Sequence, residues 1–275
     1  MALLQYDFMQ HALAAGVLAG IACGVVGTYV VVRRMVFISG GLAHTTFGGI
    51  GLAYYLGFNP LLGALVFALV GAVGIGAAAQ RTRLSEDTAI GVLWAAGMAL
   101  GVVFIGLAEG YAPDLFSYLF GNILTVRQSE LFTMLVLDAV VLATVFILYK
   151  EFLAISFDEE FSRVGGIPSR ALDLLLLALV ALTIVTVIRV VGIVLVIALL
   201  TIPPAIARYY TTSLSRMMLL SSLIGVSLAI AGLLLSYILD IASGATIILL
   251  GSAALLIVLV AQRVARRSTA SRTTQ

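Results

Sequence analysis

Apolar runs of about twenty residues alternate with short polar punctuation along almost the whole chain. Nine such runs can be read, at about 9–32, 36–57, 60–79, 88–108, 129–149, 171–188, 191–209, 216–239 and 243–262. At ~1.5 Å per helical residue, runs of this length match a hydrocarbon layer ~30 Å thick. Every backbone N–H and C=O in hydrocarbon must bond within its own segment, so the runs are predicted as helices. The expectation is an all-α polytopic membrane protein with about nine transmembrane helices.

Composition agrees. The 275 residues are 62% hydrophobic and 10% charged, with mean hydropathy +1.19, against roughly 25% charged in a soluble domain. The lone Cys23 lies in an apolar run, which excludes a disulfide framework and a cysteine metal cluster. The first ten residues, MALLQYDFMQ, carry no Lys or Arg. They lack the basic region of a secretory signal, so the first run is expected to stay as a span. Residues 1–265 read as one transmembrane domain. The terminal RRSTASRTTQ, 266–275, reads as a disordered cytoplasmic tail.

Charge placement sets an orientation. With the N-terminus outside, one side holds Arg33, Arg34, Arg81, Arg83, Lys150, Arg163, Arg170, Arg208, Arg216 and, in the tail, Arg263, Arg266, Arg267 and Arg272. The other side holds Arg127 and Arg189, so 13 of the 15 basic residues fall on one face. By the positive-inside rule the chain is N-out and C-in.

Two connections are long enough to have structure. On the outer side, 109–128 contains EGYAPDLFSYLFGN, where Pro113 can open a short helix ending at Gly121–Asn122. On the inner side, 151–169 reads EFLAISFDEEFSRVGGIPS. Ser156 followed by Glu159 has capping-box spacing. Phe157, Phe161 and Val164 then recur at i, i+4 and i+7 as one apolar stripe, and Gly165–Gly166 with Pro168 end the helix. This helix, about 156–166, either docks into a protein partner or lies flat on lipid. Asp158, Glu159 and Glu160 would be repelled by anionic headgroups, which favours the partner. No phosphate-cradling GxxxxGK[ST] occurs, and Lys150 is the only lysine, so the chain cannot hydrolyse ATP in the P-loop manner. Active transport would need an ion gradient or a separate ATPase.

The stretch FISGGLAHTTFGGIGLAYYLG, 37–57, places one of two histidines within an apolar run. On a helix Gly40, His44, Gly48 and Gly51 share one face, and Gly41, Thr45 and Gly49 the next. Small residues at this spacing admit close helix contact, and they leave room beside the backbone for an ion. An intramembrane ionisable group is a functional candidate by default, and neutral imidazole ligates divalent transition metals. The alternative is a structural histidine bonded to a carbonyl. Asp138, near the middle of the fifth run, either lines a pathway or bonds structurally. Glu109, Asp114 and Asp240 fall near the outer side, where acids attract cations or are simply solvated. Glu86–Asp87 complement the start of the fourth helix, and His11 reads as interfacial. Pro203–Pro204 should free carbonyls and break the seventh span.

Together SGGLAHTTFGGIGLAYYLG, SEDTAIGVLWAAGMALGVVF, FDEEFSRVGGIP, VGIVLVIALLTIPPAIAR and SYILDIASGATIILL resemble the permease subunit of ABC importers for zinc, manganese or iron. Their order and spacing fit from about 33 to 260. The resemblance implies a type II ABC importer-like fold in the cytoplasmic (inner) membrane of a prokaryote. It implies a permease dimer on two cytoplasmic ATPase subunits, fed by a periplasmic or lipoprotein metal-binding protein. The inner loop helix would be the coupling helix, with Phe157, Asp158, Glu160, Phe161, Arg163, Gly165 and Gly166 at the ATPase. ATP belongs to that partner; the chain itself is no enzyme and holds no cofactor of its own. No nucleic acid is involved. Family members commonly read S-D-x-L-x-H where this chain has Ser39-Gly40-Gly41-Leu42-Ala43-His44. The acid is missing at Gly40, so either it is not essential for passage or another residue such as Asp138 substitutes. Nitrogen ligation leans towards zinc, and carboxylate-rich sites towards manganese. Two other classes are an ion-gradient carrier, resting on Asp138, and an intramembrane serine hydrolase, which Ser39 and His44 do not suit because they face apart.

Overall fold

The computed structural model describes residues 6–81, 85–108, 119–121 and 123–272. Among these residues the chain is helical throughout: α1 Asp7–Val32, α2 Val36–Leu56, α3 Pro60–Arg81, α4 Glu86–Leu107, a 3-10 turn at Ile123–Thr125, α5 Gln128–Ile147, α6 Tyr149–Phe157, α7 Glu159–Val164, α8 Ser169–Val191, α9 Ile193–Ala207, α10 Leu214–Leu239 and α11 Ser243–Arg272. Seven helices are long and apolar enough to cross a membrane, namely α1, α2, α4, α5, α8, α10 and α11; Pro60–Ile75 of α3 and Ile193–Ala207 are shorter apolar helices. Each falls on one of the nine runs. The expected 109–118 stretch, with Glu109, Pro113 and Asp114, lies outside the described residues.

α1, α2 and α8 form the interior, and α4, α5 and α11 present most of their surface outwards. Threonines within these helices satisfy themselves locally. Thr28, Thr45, Thr46, Thr183, Thr186 and Thr201 each donate to the carbonyl four residues back, at 2.7–2.8 Å. That satisfies these six threonine hydroxyls within an apolar setting, whereas the buried Tyr29 hydroxyl has no partner among the described residues. The ion pairs sit at the helix ends. Arg33 pairs with Asp173 of α8 and lies 3.9 Å from Glu159 of α7, while Arg189 meets Glu130 at 3.0 Å at the opposite end.

Three local expectations are corrected. Pro203 and Pro204 do not break a helix: α9 runs through both to Ala207. The break comes earlier, at Gly192, whose φ of +83° suits glycine and separates α8 from α9. The prolines remove two N–H donors, and the helix keeps its remaining bonds because hydrocarbon offers no replacement. Ser156 does not cap the inner loop helix. It lies inside α6 and donates to the Phe152 carbonyl at 2.6 Å, and Asp158 caps α7 by accepting from the Phe161 N–H at 2.9 Å. The helix is therefore Glu159–Val164, shorter than 156–166. Finally, α11 continues to Arg272, into the expected tail. Extending a long helix through Ala, Gln and Arg adds bonds without a new nucleation step.

Candidate functional site

The glycines of α2 decide how His44 is presented. A Cβ on Gly48 would lie 2.9 Å from the Gly97 carbonyl oxygen of α4, and one on Gly51 2.5 Å from that of Gly101. On the other flank, a Cβ on Gly49 would lie 2.1 Å from the Gly63 carbonyl oxygen of α3. Backbone meets backbone on both sides. The space beside these glycines is taken by α3 and α4, and is not left open for an ion.

His44 itself stacks on Trp94 of α4, with ring centroids 4.2 Å apart and planes 16° from parallel. Its Nδ1 is buried with no hydrogen-bond partner. One turn earlier, a Cβ on Gly40 would lie 3.1 Å from the Trp94 ring, and Phe37 approaches the same ring at 6.0 Å. Phe37, Gly40 and His44, at i, i+3 and i+7, thus share one indole. Trp94 occupies the side of α2 towards which an acid at residue 40 would project. Sequence reasoning passed over Trp94, although it is the only tryptophan and lies in the small-residue run GVLWAAG.

Asp138 is elsewhere. It is 2% exposed on α5, with neither carboxylate oxygen hydrogen-bonded. It lies within electrostatic reach of the buried Cys23 of α1, and α5 packs on α1 and α8. His44 belongs to the α2–α4 contact, so one chain holds these two candidates in separate places. Among the described residues no three His, Cys, Asp or Glu side chains gather to hold a metal ion. Asp240 is exposed and ends α10 in the left-handed conformation, φ +52°, a turn role that aspartate tolerates. His11 is half-buried near the start of α1. Asp87 enters the first turn of α4 behind the Ser85 cap, whose hydroxyl accepts from the Thr88 N–H at 3.2 Å.

At the end of the molecule bearing Arg33 and Lys150, Phe157, Phe161 and Val164 are 72%, 75% and 83% exposed. They do not form one helical stripe. Phe157 closes α6, the extended Asp158 intervenes, and Phe161 and Val164 belong to α7. Gly165 ends α7 and Gly166 turns at φ +84°. The outcome is a knuckle of two short helices seated on the bundle through Phe152 and Ile155, which turns Phe157, Phe161 and Val164 outwards, with Asp158, Glu160 and Arg163 around them.

Residues 5–262 match the model of the ABC 3 transport family. The chain belongs to that family. Among its relatives is the uncharacterized membrane protein slr2045 of Synechocystis, 50% identical over 260 residues, covering 94% of this chain and 92% of that one. The manganese transport system membrane protein MntC of Listeria innocua is 38% identical over 250 residues, covering 91% and 89%. Among solved structures, PsaBC from Streptococcus pneumoniae in complex with Fab superposes with a TM-score of 0.85 at 35% identity, covering 93% of this chain and 92% of that one. The ABC 3 membership fits the five quoted motifs, and the helical architecture is shared with the PsaBC structure.

Proposed function

We propose that this chain is the permease subunit of an ATP-driven importer for a divalent transition metal, with manganese as the substrate. The observation that carries the reading is full-length similarity, at 38% identity, to a membrane protein named for manganese transport. Manganese replaces the zinc that histidine ligation alone suggested. The nine apolar helices would cross the cytoplasmic membrane with the N-terminus outside. Two permease copies would stand on two ATPase subunits, and a metal-binding protein would deliver the ion to the outer face. The exposed Phe157, Phe161 and Val164 support docking of α6–α7 onto the ATPase, since they stand at the basic end of the bundle. Membership of an ABC transport family disfavours the ion-gradient carrier.

In this reading His44 is a transient metal ligand, and Trp94 is a positioning residue that fixes the imidazole plane. A conduit must release what it binds, and one histidine without a surrounding cage suits that need. Asp138 would act separately, deeper against α1. The test is manganese uptake in cells lacking their own importers, supplied with this chain, its ATPase and its binding protein. His44→Gln keeps hydrogen-bonding capacity and loses most ligand strength. Uptake should fall by about tenfold or more, as loss of ~1.4 kcal/mol or more of transition-state stabilisation implies, with membrane levels unchanged. Uptake within twofold of the unaltered chain would make the histidine structural.

A further inference from the structure

α1, α5, the start of α6 and α10 enclose a trough that the transport reading does not use. Its volume is about 740 Å³, within the ~300–1,000 Å³ typical of ligand sites. Val17, Ile21 and Val25, at i, i+4 and i+8 on α1, make the floor. Leu142, Phe146 and Tyr149 form one wall, and the Ser215–Val226 face of α10 forms the other. The floor is deep because α1 and α10 touch through glycine: a Cβ on Gly24 would lie 2.4 Å from the Ser222 nitrogen. The two walls share almost no contact with each other, so the trough opens sideways, where hydrocarbon would lie.

We infer that this trough binds one acyl chain of an anionic phospholipid, with the headgroup held by Lys150 and Arg216. Length argues for a lipid over a partner helix. From Ser215 to Val226 is eleven residues, about 16 Å of helix, or about half of the ~30 Å hydrocarbon thickness. That is the depth of one leaflet, whereas a spanning helix needs the whole. Chemistry argues for the headgroup. The lining is otherwise apolar: Ser222, midway along, donates its hydroxyl to the Ile21 carbonyl at 3.3 Å, and the hydroxyls of Tyr149 and Ser215 lie at one end. Lys150 and Arg216 directly follow those two residues, are exposed, and take part in no ion pair among the described residues. Measured from the lining Tyr149, Lys150 lies roughly 100° round α6 and the neighbouring acid Glu151 roughly 200°, on the far side. Exposed Tyr209 and Tyr210, just before α10, mark the same level as an interfacial aromatic belt. Basic residues between membrane helices at this level attract anionic lipid.

The full chain, purified in detergent, is titrated with phosphatidylglycerol and with phosphatidylcholine of identical acyl chains, and bound lipid is counted by native mass spectrometry. Phosphatidylglycerol should bind on the order of tenfold more tightly, as two interfacial cations predict. Lys150→Gln with Arg216→Gln should abolish the preference and leave phosphatidylcholine binding unchanged. Leu223→Trp, on an exposed wall, should fill the trough and weaken both lipids while the protein elutes normally. Equal binding of the two lipids to the unaltered chain overturns the inference, as does a preference that survives the double change. Efficient cross-linking of Leu219→Cys between two copies in membranes would also overturn it, because a second chain would then occupy the trough.

Discussion

Gly49→Ala puts the close approach of α2 and α3 to a quantitative test. The added Cβ would stand 2.1 Å from the Gly63 carbonyl oxygen and 2.8 Å from the Phe67 Cβ. Carbon and oxygen ordinarily approach to about 3.3 Å. The helices must therefore part by about 1.2 Å (3.3 − 2.1), and both sides of the clash are rigid backbone. Forcing a methyl into such a contact costs about 1–3 kcal/mol or more, against a gain of at most about 1 kcal/mol from helix propensity. A net loss on the order of 2 kcal/mol lowers the melting temperature of a chain this size by about 4–8 °C. Gly74→Ala, on the same α3 with nothing within 4 Å, is the control and should melt no lower than the unaltered chain. Thermal unfolding of the two purified variants, read by intrinsic fluorescence, decides the matter. If Gly49→Ala melts with or above the Gly74 control, the backbone-on-backbone packing of α2 is refuted. Because α2 carries His44, manganese uptake should also fall in Gly49→Ala at a temperature where the protein remains folded.

Other expectations concern coupling and sidedness. Phe157→Ala with Phe161→Ala removes two exposed aromatics, and hot-spot anchors of this type contribute about 2 kcal/mol or more each. The ATPase should no longer co-purify, and undiminished co-purification would remove α6–α7 from the interface. In a Cys23→Ala background, Val164→Cys should be shielded from an impermeant thiol reagent in intact cells, and Phe58→Cys should label. The opposite pattern would invert the proposed orientation and the coupling role with it.

The helices were legible because hydrocarbon leaves so few alternatives. Each apolar run had to become a helix, and α1, α2 and α10 agree with their runs to within a few residues. Local punctuation was less secure. Ser156 and Asp158 are equally good caps by type, and the choice between them fell to Phe152 and Ile155, which bury one face of α6 and draw Ser156 into that helix. Nothing local announces that burial. The partners of His44 were hidden for the same reason. The glycines announced close packing, but which helix fills each flank is a tertiary fact. Trp94 reaches Gly40 across more than fifty residues of sequence, and the missing acid at residue 40 gained a physical meaning only beside that indole.

The glycine contacts bear on how the molecule can change shape. Interlocked backbones slide only by climbing over one another's Cα hydrogens, so α2, α3 and α4 should move as one stiff plate. α1 and α10, joined at Gly20 and Gly24, should form a second. The plates touch each other directly along a thin α1–α2 seam, with α8 and α9 packed against both, and the chain passes between them through Arg33, Arg34 and Met35, where Arg34 takes the left-handed conformation at φ +60°. Motion driven from the ATPase would concentrate at that hinge. Spin labels at Val66 and Val102 should keep one separation through the nucleotide cycle, while labels at Val66 and Leu235 report the swing; a change in the first pair would dissolve the plate.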